Sequence, residues 1–265
     1  MIGKLEKFES KTPIFTKGRM LKNEMLEPLR DFPRDVTAIL YVNHVDGVIA
    51  GLDLTVDDTN ITISKGIVKY KEELLVLGEI LQIPYVADGK EQILKLRFAE
   101  KEIKPDFEGY KVAVAIEHQE CNPQTELELA RFRLSQGAYL RQEYRNLEDF
   151  KTGHNTLNIV NQRYSGLGGA TLSPVILRYF ARELLACKTE NPHDLNVIYQ
   201  VLNQNMTISK ELLTNYIKVR LEEENIELQK NENLHMALNK ILTKAKKEVH
   251  HVKKTIGVNR KLIVD

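Results

Sequence analysis

The segment best suited by residue type and order to hold a ligand is Gly166-Leu-Gly168-Gly169-Ala-Thr171, a glycine cluster that leads into a helical stretch. Backbone amides at such a junction can receive a phosphate, because unpaired N–H groups and the positive end of the helix face the same point. The pattern is incomplete. No Gly-Lys-Ser/Thr ending follows, and no buried parallel strand is readable ahead of it. The preferred reading is a hinge, where glycines permit backbone angles closed to other residues.

The seven histidines make no metal pattern. His44 and Asp46 could orient two ligands, and His118 precedes Cys121 by three residues, but neither pair has further donors at ligand spacing. His250 and His251 are neighbours on a helical stretch, so their side chains diverge by about 100° and cannot face one ion. Cys121 and Cys187 stand 66 residues apart without another thiol, which reads as two reduced cysteines. The chain has no Gly-x-Ser-x-Gly elbow and no His-Glu-x-x-His pair. The expectation is a protein with no catalytic residue, no cofactor and no metal, hence not an enzyme.

Thirty-eight Lys and Arg face thirty-seven Asp and Glu, a net charge of +1 that excludes a uniformly basic nucleic-acid binder and an acidic tail. Charge is uneven, however. From Lys230 to Asp265 nine basic residues face three acidic ones, a local +6. A basic helix can bind a phosphate backbone. That stretch has no Phe, Tyr or Trp to stack on bases, so a solvated helix face is preferred and nucleic acid is disfavoured as a partner. Two alternatives stay open: a nucleic-acid-binding regulator using this helix, and a phosphate-ligand enzyme using Gly166–Thr171. The two helical stretches His193–Asn203 and Ser209–Val219 loosely resemble a helix-turn-helix, a spacing common to any bundle. Apolar runs fall far short of the ~20 residues that cross a bilayer, and Met1–Lys7 has no hydrophobic signal core. Synthesis and folding in the cytoplasm, without membrane insertion, are expected.

Periodicity divides the chain in four. Residues 1–45 read as an arm and docking helix, with Met20, Leu21, Met25, Leu26 and Leu29 at helical steps and Pro28 and Pro33 expected to end or kink the helix. A second turn or two of helix is expected from Asp35 through Val42. Residues 46–150 read as about eight short antiparallel strands, the first from Val48 to Val56, in a sandwich or barrel-like domain. In the last strand, Arg131 falls where an apolar residue is due; either a β-bulge near Leu129 or Ala130 restores Leu127, Leu129, Phe132 and Leu134 to one face, or the strand is an edge with both faces partly covered. Residues 151–170 form the glycine-containing hinge, and 171–265 a helical bundle. There Ser173-Pro174, Asn191-Pro192 and Ser209 open three helices. Leu234, Leu238, Ile241, Ala245, Val249, Val252 and Ile256 follow as one seam on a last helix that Gly257 ends. The fold class is α+β, a β half before an α half.

Gly47-Val-Ile-Ala-Gly-Leu-Asp-Leu-Thr-Val, then Ile61-Thr-Ile-Ser-Lys-Gly-Ile-Val-Lys-Tyr70 and Ile83-Pro-Tyr85, resemble a cassette near the start of phage tail and baseplate proteins. Gly18-Arg-Met-Leu-Lys-Asn-Glu-Met-Leu is similar to the N-terminal docking motif of the trimeric baseplate adaptor of type VI secretion. The resemblance spans about residues 18–135. It implies a structural component of a contractile phage tail or related injection particle, at the baseplate or a fibre attachment point. Its partners would be other baseplate or tail proteins, and it would be found in the bacterial cytoplasm and then in the particle. It also implies a homo-oligomer, with a trimer favoured. On that reading Met20, Met25, Leu26 and Leu29 dock on a neighbour. Leu234, Leu238, Ile241, Ala245, Val249 and Val252 would form the contact between copies.

Overall fold

The structure is a computed structural model that describes residues 9–141, 143–152 and 154–258, with side chains in the last helix described as far as 248. Helix α1 (Asn23–Leu40) precedes β1 (Gly47–Gly51), β2 (Leu54–Val56), β3 (Asn60–Ile63), β4 (Gly66–Tyr70), β5 (Glu73–Leu77) and β6 (Leu81–Pro84). Then come β7 (Glu91–Phe98), β8 (Glu102–Ile103), β9 (Glu108–Gly109), β10 (Val112–Glu117) and β11 (Glu126–Arg133). A 3-10 turn at Leu147–Lys151 leads to β12 (Tyr164–Gly166) and β13 (Gly169–Thr171). Four helices follow: α2 (Pro174–Ala186), α3 (Pro192–Leu202), α4 (Lys210–Leu221) and α5 (Asn231–Val258). The fold is α+β, with strands ahead of a helical region.

Local chemistry explains the breaks. The single strand expected from Val48 to Val56 is two, because Gly51 and Leu52 take positive φ of 71° and 56° and turn β2 out of the sheet that holds β1. The Asp57 carboxylate accepts hydrogen bonds from the amides of Thr59 (2.8 Å) and Asn60 (2.7 Å), an Asx turn that sends β3 back along β2. In β11 the register against β7 shifts between Glu128 and Ala130. The bulge leaves Leu127, Leu129, Phe132 and Leu134 all buried in the core.

The strands fall into a five-stranded sheet (β13-β12-β1-β4-β5), two three-stranded sheets (β10-β7-β11 and β2-β3-β6) and a β8-β9 ribbon. All pairs are antiparallel except one. β1 runs parallel to β12, with Val48 opposite Tyr164. The glycine cluster is therefore part of a hairpin hydrogen-bonded onto the first sheet, where the sequence reading had a hinge. Gly47 makes the junction possible. A Cβ there would lie 2.6 Å from the Arg163 carbonyl oxygen, the group that accepts the Val48 amide at 2.9 Å.

One apolar core runs from Val48 to Ala245, through both sheets and helices. Between β11 and β12, where no periodic signal is readable, Leu140, Leu147, Phe150, Leu157, Ile159 and Val160 are buried in the core. Tyr144 stacks on Phe150 with ring centres 3.9 Å apart, and the Tyr144 hydroxyl donates to the Leu157 carbonyl at 2.7 Å. His235 on α5 donates from Nε2 to the Leu147 carbonyl at 2.7 Å, and burial holds its pKa below the usual histidine value. Ser173, Asn191 and Ser209 cap α2, α3 and α4 through their side-chain oxygens. Asp194, fully buried on α3, accepts from Tyr216 (2.8 Å) and Arg220 (3.0 Å) on α4, and Arg220 reaches Glu248 on α5 at 3.1 Å. Each charge in this network has an opposite partner.

The α5 seam corrects the expected contact between copies. Leu234, Leu238 and Ile241 are 0% exposed and Ala245 1%, all inside this chain's own core. Side chains already enclosed by their own fold cannot be the face offered to another copy. Val249 and Val252 belong to α5, and their side chains lie outside the described residues. The Ile241→Asp variant should therefore lose cooperative unfolding in a denaturant titration, since a carboxylate in a packed core lacks any compensating partner. On the β10-β7-β11 sheet, burial opposes the charge of Glu126, but the Asn122 amide, Lys95 and Arg97 outweigh it and hold the pKa at about 2. A lowered carboxylate pKa stabilises the fold above the ordinary range and loses that effect as pH falls toward 2. Glu126→Gln should flatten this acid limb in thermal melts between about pH 4 and pH 2.

Candidate functional site

The most distinctive surface is built from the N-terminal arm and α1. At 100° per residue Met25, Leu29, Phe32, Val36, Ile39 and Leu40 fall within an arc of about 100° on α1. The opposite side carries Glu27, Arg30, Asp31 and Arg34, with Asp31 accepting from Arg30 at 2.7 Å and Arg34 at 3.1 Å. Such an amphipathic helix normally buries its apolar stripe. None of its residues is buried. Phe32 is 71% and Ile39 73% exposed, and Met20 and Leu21, just ahead of the helix, are exposed as well. Met25 is half-buried, while Leu26 and Leu29 are exposed.

The prolines do not divide this helix. Pro28 and Pro33 lie inside one continuous α1, which merges the expected short helix with the expected turns from Asp35. Each proline leaves the carbonyl four residues earlier without its helical donor. On a helix with no buried residue, water can reach those carbonyls, so the run continues.

What holds α1 is its C-terminal root. Lys69 on β4, 8% exposed, donates from Nζ to the carbonyls of Tyr41 (2.7 Å), Val42 (3.3 Å) and His44 (2.7 Å). A cation at the carbonyl end of a helix satisfies acceptors that have no helical donor and opposes the negative end of the dipole. The Tyr41 and His44 rings meet edge to face at 5.0 Å, and His44 forms a bridge with Leu167 in the β12-β13 loop. Burial, followed by the Lys69 charge, lowers the His44 pKa. Ser165 on β12 donates its hydroxyl to the Val45 carbonyl. The helix itself packs beside β5. It is an amphipathic rod fixed at its C-terminal root, about 27 Å long at 1.5 Å per residue.

The other sequence candidates are dispersed. Among the described residues no three His, Cys, Asp or Glu side chains gather in metal-binding geometry. Asp46 accepts the Lys71 amide at 3.2 Å, and His118 hydrogen-bonds the Glu91 carbonyl at 2.9 Å. Cys121 and Cys187 are free thiols; burial, followed by the nearby Glu128 charge, pushes Cys121 up to about 11. The thiolate needed for nucleophilic chemistry is thereby disfavoured. Within the basic segment Lys244 pairs with Glu222 at 3.1 Å and Lys246 with Glu183 at 2.9 Å, so part of its charge is used inside the fold. His250 and His251 have side chains outside the described residues. No helix among the described residues is long and apolar enough to cross a membrane. The Lys69 mount escaped sequence reading because a lysine in an alternating strand reads as solvent-facing, and nothing local marks three carbonyls that lie 25 to 28 residues earlier.

The chain matches no family model and no curated protein. Among solved structures it is similar to a crystal structure of TssK, with 9% identity over 91% of this chain and 72% of that one, at a TM-score of 0.44. It is also similar to chains in the type VI secretion system TssK-TssF-TssG baseplate subcomplex and in the type VI secretion baseplate complex. Each shows 11% identity over 89% of this chain and 100% of the other, with a TM-score of 0.40.

Hydrogen bonds from a charged donor contribute about 1.5–3 kcal/mol each. Lys69→Met, which keeps the stem and removes the ammonium, should accelerate hydrogen exchange at residues 41–46 by at least about tenfold and leave the β7 amides unchanged.

Proposed function

We propose that this chain is a non-enzymatic structural component of a contractile phage tail or phage-tail-like injection particle, working at the baseplate or at a fibre attachment point through protein–protein assembly. The observation that carries the assembly role is α1, an amphipathic helix whose apolar stripe no described residue buries and whose root is fixed by buried polar contacts. Apolar area of that kind is a docking element, since a soluble monomer gains nothing by holding it in water. The setting in an injection particle rests on the resemblance of residues 18–135 to the tail and baseplate cassette and to the adaptor's docking motif. Its partners on this reading are other baseplate proteins, and three copies is the proposed stoichiometry. With the α5 seam enclosed, Met20, Met25, Leu26 and Leu29 remain as the proposed contact, extended by Phe32, Val36 and Ile39.

Leu29→Asp and Phe32→Asp replace exposed side chains, so each should change unfolding free energy by less than about 0.5 kcal/mol. Each should also strongly reduce the amount of chain co-sedimenting with intact particles. Incorporation at the wild-type level with both substitutions present would overturn the reading.

A further inference from the structure

The glycine hairpin, unused by the docking role, borders a second feature. A cavity of about 560 Å³ is lined by Gly168 and Gly169 of the β12-β13 hairpin, by Arg163, Lys210 and Lys230, and by the first residues of α5, Asn231 and Glu232. That volume lies in the range of small-ligand sites, about 300–1,000 Å³. Its remaining lining is Asn161, Ala170 and Gln229, so it holds no aromatic ring and no large apolar side chain. The cavity is polar and cationic, three basic groups against one carboxylate.

The site is constructed by contacts across the chain. Asn231 donates from its side-chain amide to the carbonyls of Gln162 (3.0 Å) and Thr171 (3.2 Å), which fastens the start of α5 to both sides of the hairpin. The Lys210 amide donates to the Leu167 carbonyl at 3.1 Å, and its Nζ donates to the Gln229 carbonyl at 3.1 Å. Among the described residues neither Arg163, Lys210 nor Lys230 is paired with a carboxylate, whereas Lys95, Lys101, Lys244 and Lys246 all are. Partial burial lowers the Lys210 pKa, with no opposing charge to offset it. An ammonium partly withdrawn from water, in a cavity that two further cations line, is compensated most effectively by an anion.

We propose that this cavity binds a small multivalent oxyanion of the phosphate class, held by Arg163, Lys210 and Lys230 at the glycine hairpin and the start of α5. The absence of an apolar shelf excludes recognition of a nucleobase by stacking, so the phosphate groups themselves are the ligand. Glu232 faces the same space and favours an anion seated toward Arg163 and Lys210. The bound anion would brace the hairpin against α4 and α5.

Isothermal titration of the full chain with inorganic pyrophosphate, at constant ionic strength set with sodium chloride, tests this. Saturable binding is expected, weakened at least tenfold in Lys210→Met and in Lys230→Gln, while Lys65→Gln, an exposed lysine away from the cavity, binds as wild type. Lys230 is exposed, so its variant retains the fold even where Lys210→Met does not. No saturable heat up to 10-millimolar-order pyrophosphate, or equal binding in Lys230→Gln and wild type, overturns the proposal. Tighter binding of hexaglutamate than of pyrophosphate also overturns it, because the site would then belong to an acidic peptide.

Discussion

The parallel pairing of β1 with β12 is the constraint on which the remaining architecture depends. It joins residues more than a hundred positions apart, and it exists because Gly47 offers no side chain where the Arg163 carbonyl must accept the Val48 amide. Through it the β12-β13 hairpin becomes an extension of the first sheet. Helices α2, α4 and α5 then inherit their positions, α2 by direct continuation, α4 from the Lys210 amide on Leu167 and α5 from Asn231 across the hairpin. A flexible linker at the same place would have left two independent halves. Instead the core is continuous.

The same sheet positions the docking helix. β4 lies on the other side of β1, and its Lys69 carries the ammonium that collects the carbonyls after α1. Ser165 and Leu167, from the hairpin on the opposite side of β1, hold the neighbouring residues Val45 and His44. The root of α1 is thus clamped from both flanks, while the helix beyond it touches little. Rigid at the base and apolar along the shaft, it limits the orientational freedom lost when a partner covers it, which favours association.

The helical region separates two kinds of stabilisation. Its apolar seam from Leu234 to Ala245 supplies burial, and the Asp194, Tyr216, Arg220 and Glu248 network ties α3, α4 and α5 in one relative arrangement. A buried charge without its partner is strongly unfavourable, so alternative helix registers that break this set are disfavoured. The arrangement keeps the N-terminal ends of α4 and α5 next to the hairpin. Three cations are thereby brought to one cavity from segments that are unconnected in the chain.

Much of this was legible in the residues. The period-two stretches and the caps at Ser173, Asn191 and Ser209 follow from local chemistry, since strand alternation and capping depend on neighbours within a few positions, and the pairing with β7 decided between the two readings of β11 in favour of the bulge. The start of the α1 stripe, at Met25 and Leu29, was visible too, as was the glycine cluster. What covers a stripe is not a local property. The α5 seam and the α1 stripe have similar spacing, yet one is sealed inside the chain and the other is bare. Likewise Pro28 and Pro33 marked a helix end by local rules that water at an exposed helix relaxes. Sequence by itself determined most of the strand and helix segments and which faces are apolar, because those depend on backbone sterics and side-chain period. Only the tertiary structure decided which faces are buried, that Lys69 is an interior cation, and that the glycines belong to a hairpin. Those outcomes depend on groups brought together from 25 to more than a hundred residues apart, whose approach no local pattern encodes.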